Sequence, residues 1–216
     1  MMERGILFTD THTAEDWGMV LTNKSIPRAE VKENFVAVEG RNGDLDYTEA
    51  FGDVKYENRQ LTFSFSLSNG SYLDREELIN TIVQKLHGQR HTIKTDDDST
   101  RYFSGRCKVT DITNNLAYAT MKVTVNADPW YYSVSETVYS AAVPTSTQIT
   151  LENNGRMTCI PKVTITGTVT LQYDGNTHAL SAGSYTLADL KLPTGNKIIT
   201  LSGTGTVEFK YREAIL

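Results

Sequence analysis

The run Arg59-Gln60-Leu61-Thr62-Phe63-Ser64-Phe65-Ser66-Leu67 decides the fold, because it alternates without a break. Leu61, Phe63, Phe65 and Leu67 fall on one side, Thr62, Ser64 and Ser66 on the other. Successive side chains of an extended chain point to opposite faces, so this run is a strand with one buried side. The reading extends it back to Val54. A single strand cannot bury such a face alone, so the flanking sequence has to supply a sheet and a cover.

The cover follows directly. After the turn signal Asn69-Gly70, Asp74 to His87 is expected as the helix. Asp74 is placed to cap it, with Glu77 three residues on. Leu78, Ile79, Ile82, Val83 and Leu86 recur at helical spacing and make one apolar stripe. Gly88 then stands where a left-handed terminating residue is expected. The sheet partners lie on both sides. His91 to Thr95 reads as a strand, Asp96-Asp97-Asp98-Ser99 as a turn, and Tyr102–Ile112 with Leu116–Asn126 as a hairpin about Asn114-Asn115. Towards the N-terminus, Arg4–Phe8, Trp17–Thr22 and Val31–Val38 read as strands, and Pro27 ends the second because it has no N–H for a ladder.

Between Val31–Val38 and the deciding strand lies Val38-Glu39-Gly40-Arg41-Asn42-Gly43-Asp44-Leu45-Asp46-Tyr47-Thr48-Glu49-Ala50. It is dense in turn formers and carboxylates, and Phe51-Gly52-Asp53 turns the chain after it. A plain hairpin, a catalytic loop and an assembly device are all open readings.

Asp128-Pro129-Trp130 closes this part. From Ser133 to Thr150 the chain is rich in Ser, Thr, Ala and Val, with Pro144, which places a domain boundary between residues 1–133 and 134–216. Beyond it come short β runs at 148–152, 162–173, 177–180, 184–187, 197–201 and 206–212. Asn153-Asn154-Gly155, Asp174-Gly175-Asn176, Ala182-Gly183, Pro193-Thr194-Gly195 and Gly203-Thr204-Gly205 separate them. Many short strands with Gly/Asn turns point to a β-sandwich or jelly roll. The expected class is mainly β, with one packed helix in the first domain.

With 216 residues the chain is long enough for a sizeable core. No run of about 18 apolar residues exists, and Met1 to Gly5 lacks the apolar core of a secretion signal, so neither membrane insertion nor export by the general route is expected. The charge is uneven: residues 1–133 carry 15 Lys/Arg against 20 Asp/Glu, and residues 134–216 carry 6 of each. An acidic surface repels phosphates, so specific nucleic-acid binding is not expected. Cys107 and Cys159 read as reduced, buried thiols, and no Cys/His cluster has zinc spacing.

Catalytic readings find little support. Asp96-Asp97-Asp98 lacks the alternating ligands and glycine of a calcium loop. Asp44 and Asp46 share a face if extended, as paired glycosidase carboxylates do, but solvated strand edges use the same pattern. His12, His87, His91 and His178 stand in no local nucleophile signature. Neither an enzymatic role nor a cofactor is expected. Both tryptophans, Trp17 and Trp130, precede the second domain, which therefore has no tryptophan platform for sugar binding.

These pieces in this order resemble the distal tail proteins of long, flexible-tailed bacteriophages and related prophages. The resemblance rests on Arg4-Gly5-Ile6-x-Phe8-x-Asp10-x-His12-Thr13, Trp17-Gly18-x-x-Leu21, Ile26-Pro27 and Gly40-Arg41-Asn42-Gly43-Asp44-Leu45-Asp46-x-Thr48-Glu49. Leu86-His87-Gly88, Asp97-Asp98, Tyr102-Phe103-x-Gly105-Arg106 and Asp128-Pro129-Trp130 continue it across the first domain. The resemblance implies a structural protein of the virion tail tip, made and assembled in the bacterial cytoplasm. Its first domain would form a hexameric ring continuous with the tail tube, single or stacked on a second ring, and pass DNA through its channel. Its second domain, galectin-like in that family, would project outward. The implied partners are further copies of itself, the tail tube protein, the tape measure protein and the tail-fibre or receptor-binding proteins. Arg41, Asn42, Asp44, Asp46 and Glu49 become candidates for the subunit contact or the channel wall. The alternative is a carbohydrate-binding module or adhesin component that recognises the host surface.

Overall fold

In the computed structural model, which describes residues 5–50, 52–143 and 145–216, the alternating run pairs on both of its edges. The first four residues, Phe51 and Pro144, invoked above, lie outside the described residues. The chain divides into two units between Tyr131 and Tyr132. The first contains β1 (Ile6–Phe8), β2 (Thr11–His12), β3 (Val20–Ser25), β4 (Phe35–Val36), β5 (Leu45–Asp46), β6 (Arg59–Leu67), α1 (Tyr72–Leu86), β7 (Arg90–Thr95), β8 (Asp98–Asn114) and β9 (Ala119–Ala127). β10 (Tyr131–Ser133) covers the border. The second unit holds β11 (Thr137–Val143), β12 (Ser146–Asn153), β13 (Lys162–Tyr173), β14 (Asn176–Thr186), β15 (Gly195–Tyr211) and β16 (Ala214–Ile215). The protein is mainly β, with one helix among the described residues.

The main sheet of the first unit runs β2-β1-β7-β8-β9-β6-β3, with every neighbouring pair antiparallel. β6 pairs with β9 from Arg59↔Ala127 to Leu67↔Ala119 without a shift. This register puts Leu61, Phe63 and Phe65 beside Val125, Val123 and Met121 on one buried face. α1 lays Ile79, Ile82 and Leu86 into the same core as Ile6, Phe8, Ile93 and Phe103. Phe8 meets Phe63 edge to face at 6.2 Å. Burying each of these large side chains contributes about 1.5–3 kcal/mol before entropy, so packing rather than propensity holds the helix.

Several boundaries differ from expectation, each for a physical reason. The helix begins at Tyr72, and its cap is Ser71, not Asp74. Ser71 Oγ accepts from Asp74 N at 3.3 Å, while Asp74 Oδ2 accepts from Ser71 N at 2.8 Å. This reciprocal box satisfies two donors that a helix end otherwise leaves open. β3 begins at Val20 because the chain from His12 to Gly18 is a turn, closed by Asp16 N→His12 O and Gly18 N→Ala14 O, both 3.0 Å. β2 occupies part of the segment read as polar loop. Val31–Val38 is a strand only at Phe35–Val36, and β6 starts at Arg59 rather than Val54, because residues 31–58 leave the sheet.

The capping box makes stability depend on acid. Its hydrogen bonds from Ser71 hold the Asp74 carboxyl below the usual carboxylate range. A depressed folded pKa means that the contribution is complete above the unfolded value of about 4 and is lost as pH falls through the lower folded value. Asp74→Asn is therefore expected to flatten the acid limb of the stability curve, measured by urea unfolding from neutral to strongly acidic pH. An acid limb as steep as the parent's would refute the assignment.

In the second unit the sheet order is β11-β15-β13-β14, with β12 also on β15. The separators Ala182-Gly183 and Gly203-Thr204-Gly205 are not turns. β14 runs through the first and β15 through the second. β13 stays beside β15 from Lys162↔Lys210 to Gln172↔Thr200. The strand on the other side changes: β12 pairs with residues 195–202 of β15 and β11 with residues 205–211. Val163, Ile165, Val169 and Leu171 of β13 share one core with Ile199, Leu201, Val207 and Phe209 of β15. A single sheet, bent where its glycines meet, thus covers its own core. The buried Asn153 amide ties down the loop after β12, donating to Met157 O and Leu192 O, both at 2.9 Å.

Candidate functional site

Residues 27–58 leave the main sheet at the end of β3 and return at the start of β6. Among them β4 and β5 pair only with each other, through Phe35↔Asp46 and Val36↔Leu45. Val31 bridges Tyr56 near the root. The result is an arm. Gly40 (φ +79°) and Gly43 (φ +76°) turn its tip, with open space where a Cβ would be.

All five candidate residues lie on this arm. Arg41 and Asn42 are exposed at the tip, and Asp44 is exposed just before β5. Asp46, in β5, accepts from Thr48 N at 2.8 Å, and hydrogen bonds from Thr48 lower its carboxyl pKa. Glu49 is exposed in the turn beyond. Among the described residues, the side chains of Glu39, Arg41, Asn42, Asp44 and Glu49 make no hydrogen bond or ion pair. The arm also exposes Phe35 (52%), Val36, Val38 and Tyr47. Residues 27–58 contain eight Asp/Glu against four Lys/Arg. The arm is therefore acidic, apolar in part and uncovered.

A second feature lies where the arm returns to the sheet. A cavity of about 720 Å³ is lined by Arg59, Arg90, Arg106 and Lys108, with His87 and the amide of Asn126. The register gathers Arg90, Arg106, Asn126 and Gln60 on one face across four adjacent strands, and Lys108 joins them two residues after Arg106, whereas Arg59, next to Gln60, points to the opposite, core face. Arg90 pairs with Asp128, and Arg106 donates to Gly88 O at 2.5 Å. Lys108 is exposed and has no hydrogen bond or ion pair among the described residues. Arg59 is buried. Its Nε donates to Pro129 O at 2.8 Å and its guanidinium lies 5.2 Å from the Phe103 ring centre. Its Nη2 is buried with no acceptor among the described residues. Burial, then the charge of Arg28, push the Arg59 pKa down. Cys107 also lines the cavity, but burial pushes its thiol up to about 12, so it is no thiolate nucleophile at neutral pH. No single stretch of the sequence displays this cationic group. The alternation of β8 places Arg106 and Lys108 on one face, but Arg90 joins them only through the register.

The remaining polar clusters are structural. Asp96 accepts from Gly5 N at 2.6 Å and pairs with His12, Asp97 pairs with Lys24, and Asp98 accepts from Thr100 and Arg101. No group able to hold a metal ion occurs among the described residues. In the second unit, Asp189 Oδ2 accepts from Tyr173 at 3.0 Å and pairs with His178 Nε2 at 2.8 Å. His178 stacks on Tyr173 at 5.5 Å. Both side chains are committed to the same carboxylate oxygen, and no nucleophilic hydroxyl joins them among the described residues.

No family model matches the sequence, and no curated protein matches it. Solved structures do. The SPP1 Dit (gp 19.1) protein, described as a paradigm of the hub adsorption apparatus in phages infecting Gram-positive bacteria, superposes with a TM-score of 0.69 at 15% identity, over 97% of this chain and 98% of that one. The chain has the fold of a phage Dit hub protein. A chain of the phage P2 baseplate in its activated conformation with Ca matches with a TM-score of 0.52 at 8% identity, over 99% of this chain and 98% of that one. A chain of the phage p2 baseplate with Sr matches at 0.51 and 9%, over 97% of each. At these identities the likeness carries the Dit-type fold across both units.

Proposed function

We propose that this chain is a structural protein of a phage tail tip. Copies of it close into a hexameric ring that joins the tail tube to the host-adsorption apparatus and lets DNA pass. The observation that carries this reading is the uncovered arm, taken with the Dit-type fold. A two-stranded hairpin is marginal in water, and one exposing Phe35, Val36, Val38 and Tyr47 calls for a partner surface. An arm leaving one copy for the next makes a head-to-tail contact, which closes as a ring.

In this reading residues 1–133 form the ring, and Arg41, Asn42, Asp44, Asp46 and Glu49 lie at the contact between copies. The tail tube and tape measure proteins adjoin the ring. Residues 134–216 stand at the periphery and dock the receptor-binding components. The excess of carboxylates in residues 1–133 gives passing DNA little to hold. The purified chain is expected to give hexameric mass by native mass spectrometry and a ring with a central hole in negative stain. A strict monomer at every concentration would refute the proposal.

A further inference from the structure

The arm and the cationic cavity belong to the same unit of the same chain, yet neither neutralises the other. The chain has a formal net charge of -5, but Arg90, Arg106 and Lys108 gather on one face of the sheet around one cavity. Among the described residues Lys108 has no acceptor, while Arg90 pairs with Asp128 and Arg106 donates to Gly88 O. Three cations on one face repel one another, and an anionic partner relieves that repulsion. On the other side stand the carboxylates of Glu39, Asp44 and Glu49, exposed and without partners among the described residues, with Asp46 between them.

We propose that the cavity receives the acidic arm of a second copy, with Asp44, Asp46 and Glu49 entering against Arg106, Lys108 and Arg90. This inference rests on the ring reading above and names the surface that the arm occupies in it. The charges suit each other in sign, and one copy presents both halves of the contact, as a head-to-tail interface requires. The exposed apolar side chains of β4 and its flanks add area around the charged centre. Because the pairing is electrostatic, salt loosens it.

Charge reversal tests the pairing in the full-length protein. Arg106 and Lys108 are exposed, and Asp44 and Asp46 lie on the arm, so none of the four supports the core. Arg106→Glu with Lys108→Glu makes a reversed cavity, and Asp44→Lys with Asp46→Lys makes a reversed arm. Light scattering behind size exclusion is expected to show each variant dissociating, with assembly weakened by roughly tenfold or more against the parent. The chain carrying all four changes regains assembly. So does an equal mixture of the two variants, since each then meets its complement on both sides. If both reversed variants assemble like the parent, the cavity is not the arm's partner, and the ring reading stands. If only the reversed arm dissociates, the arm docks elsewhere. If the four-fold variant stays monomeric, the charges do not meet. A parent that never assembles overturns both this inference and the ring reading.

Discussion

Gly205→Ala is expected to unfold most of the second unit, at a cost of at least about 4 kcal/mol. Gly205 has φ +130°, where an L side chain is strained, and an added Cβ would lie 1.7 Å from Thr166 O. The obstruction is backbone on the adjacent strand, not a flexible side chain that could move aside. Gly203 and Gly167 face the same difficulty, each with a backbone oxygen 2.3 Å from the added carbon. The three glycines sit where β15 exchanges β12 for β11 and where the β13–β14 register shifts between Ile165 and Thr168. Any side chain there forces β13 and β15 apart at the bend and exposes the core around Val169 and Val207. Gly175 is the control. It also has a left-handed φ, +80°, but nothing lies within reach of a Cβ, so Gly175→Ala is expected to cost only about 1–2 kcal/mol. Hydrogen exchange at Leu171, Leu201 and Phe209 during thermal unfolding distinguishes them. Equal losses at Gly175 and Gly205 would mean that φ strain alone matters and that the close approach at the bend does not.

What could be read from residues alone divides along the range of the interaction. β6 was legible because its alternation is local and survives any choice of partner. The β8–β9 hairpin was legible because Asn114-Asn115 separates two alternating runs. The helix stripe was legible at Ile79, Ile82 and Leu86 for the same reason. The extents of β4 and β6 were not, because the apolar residues between Val31 and Tyr56 look like a strand whether or not a sheet lies beside them. Gly203-Thr204-Gly205 looked like a turn because turns and bends both require glycine. Only the neighbouring strand distinguishes them, and that pairing spans some forty residues of sequence. The acidic character of the arm could be read from composition, whereas the cationic cavity could not. Its exposed cations come from β7 and β8 and meet through register. A helical wheel places Arg75 on the buried side, near Ile79 and Ile82, yet a charged residue is ordinarily assigned to solvent.

Arg75→Ala is expected to cost about 3–5 kcal/mol, comparable to breaking a buried charged network. The side chain is only 2% exposed and lies in the first turns of α1. Nη1 donates to Gly70 O at 2.7 Å, before the helix. Nη2 donates to Asn115 O at 2.6 Å and Leu116 O at 2.9 Å, at the tip of the β8–β9 hairpin. Nε donates to Asn114 Oδ1 at 3.2 Å, and the Asn114 amide returns to Tyr72 O and Glu76. One guanidinium thus joins the entry to the helix with the far end of the sheet. Its fork serves carbonyls in different directions, which the single ammonium of lysine cannot do, so Arg75→Lys should recover less than half of the loss. Arg75→Met keeps most of the packing volume but leaves the carbonyls without donors. It should remain well below the parent in urea unfolding, with faster hydrogen exchange at Asn115 and at the ends of β8 and β9. The double variant with Asn114→Ala should cost less than the sum of the single changes, because the two side chains act as one clamp. Parent-like stability in Arg75→Met would show that Arg75 merely fills space. The acceptors at Gly70, Asn115 and Leu116 would then find water instead, and the hairpin tip would be held by the alternation of β8 and β9 alone.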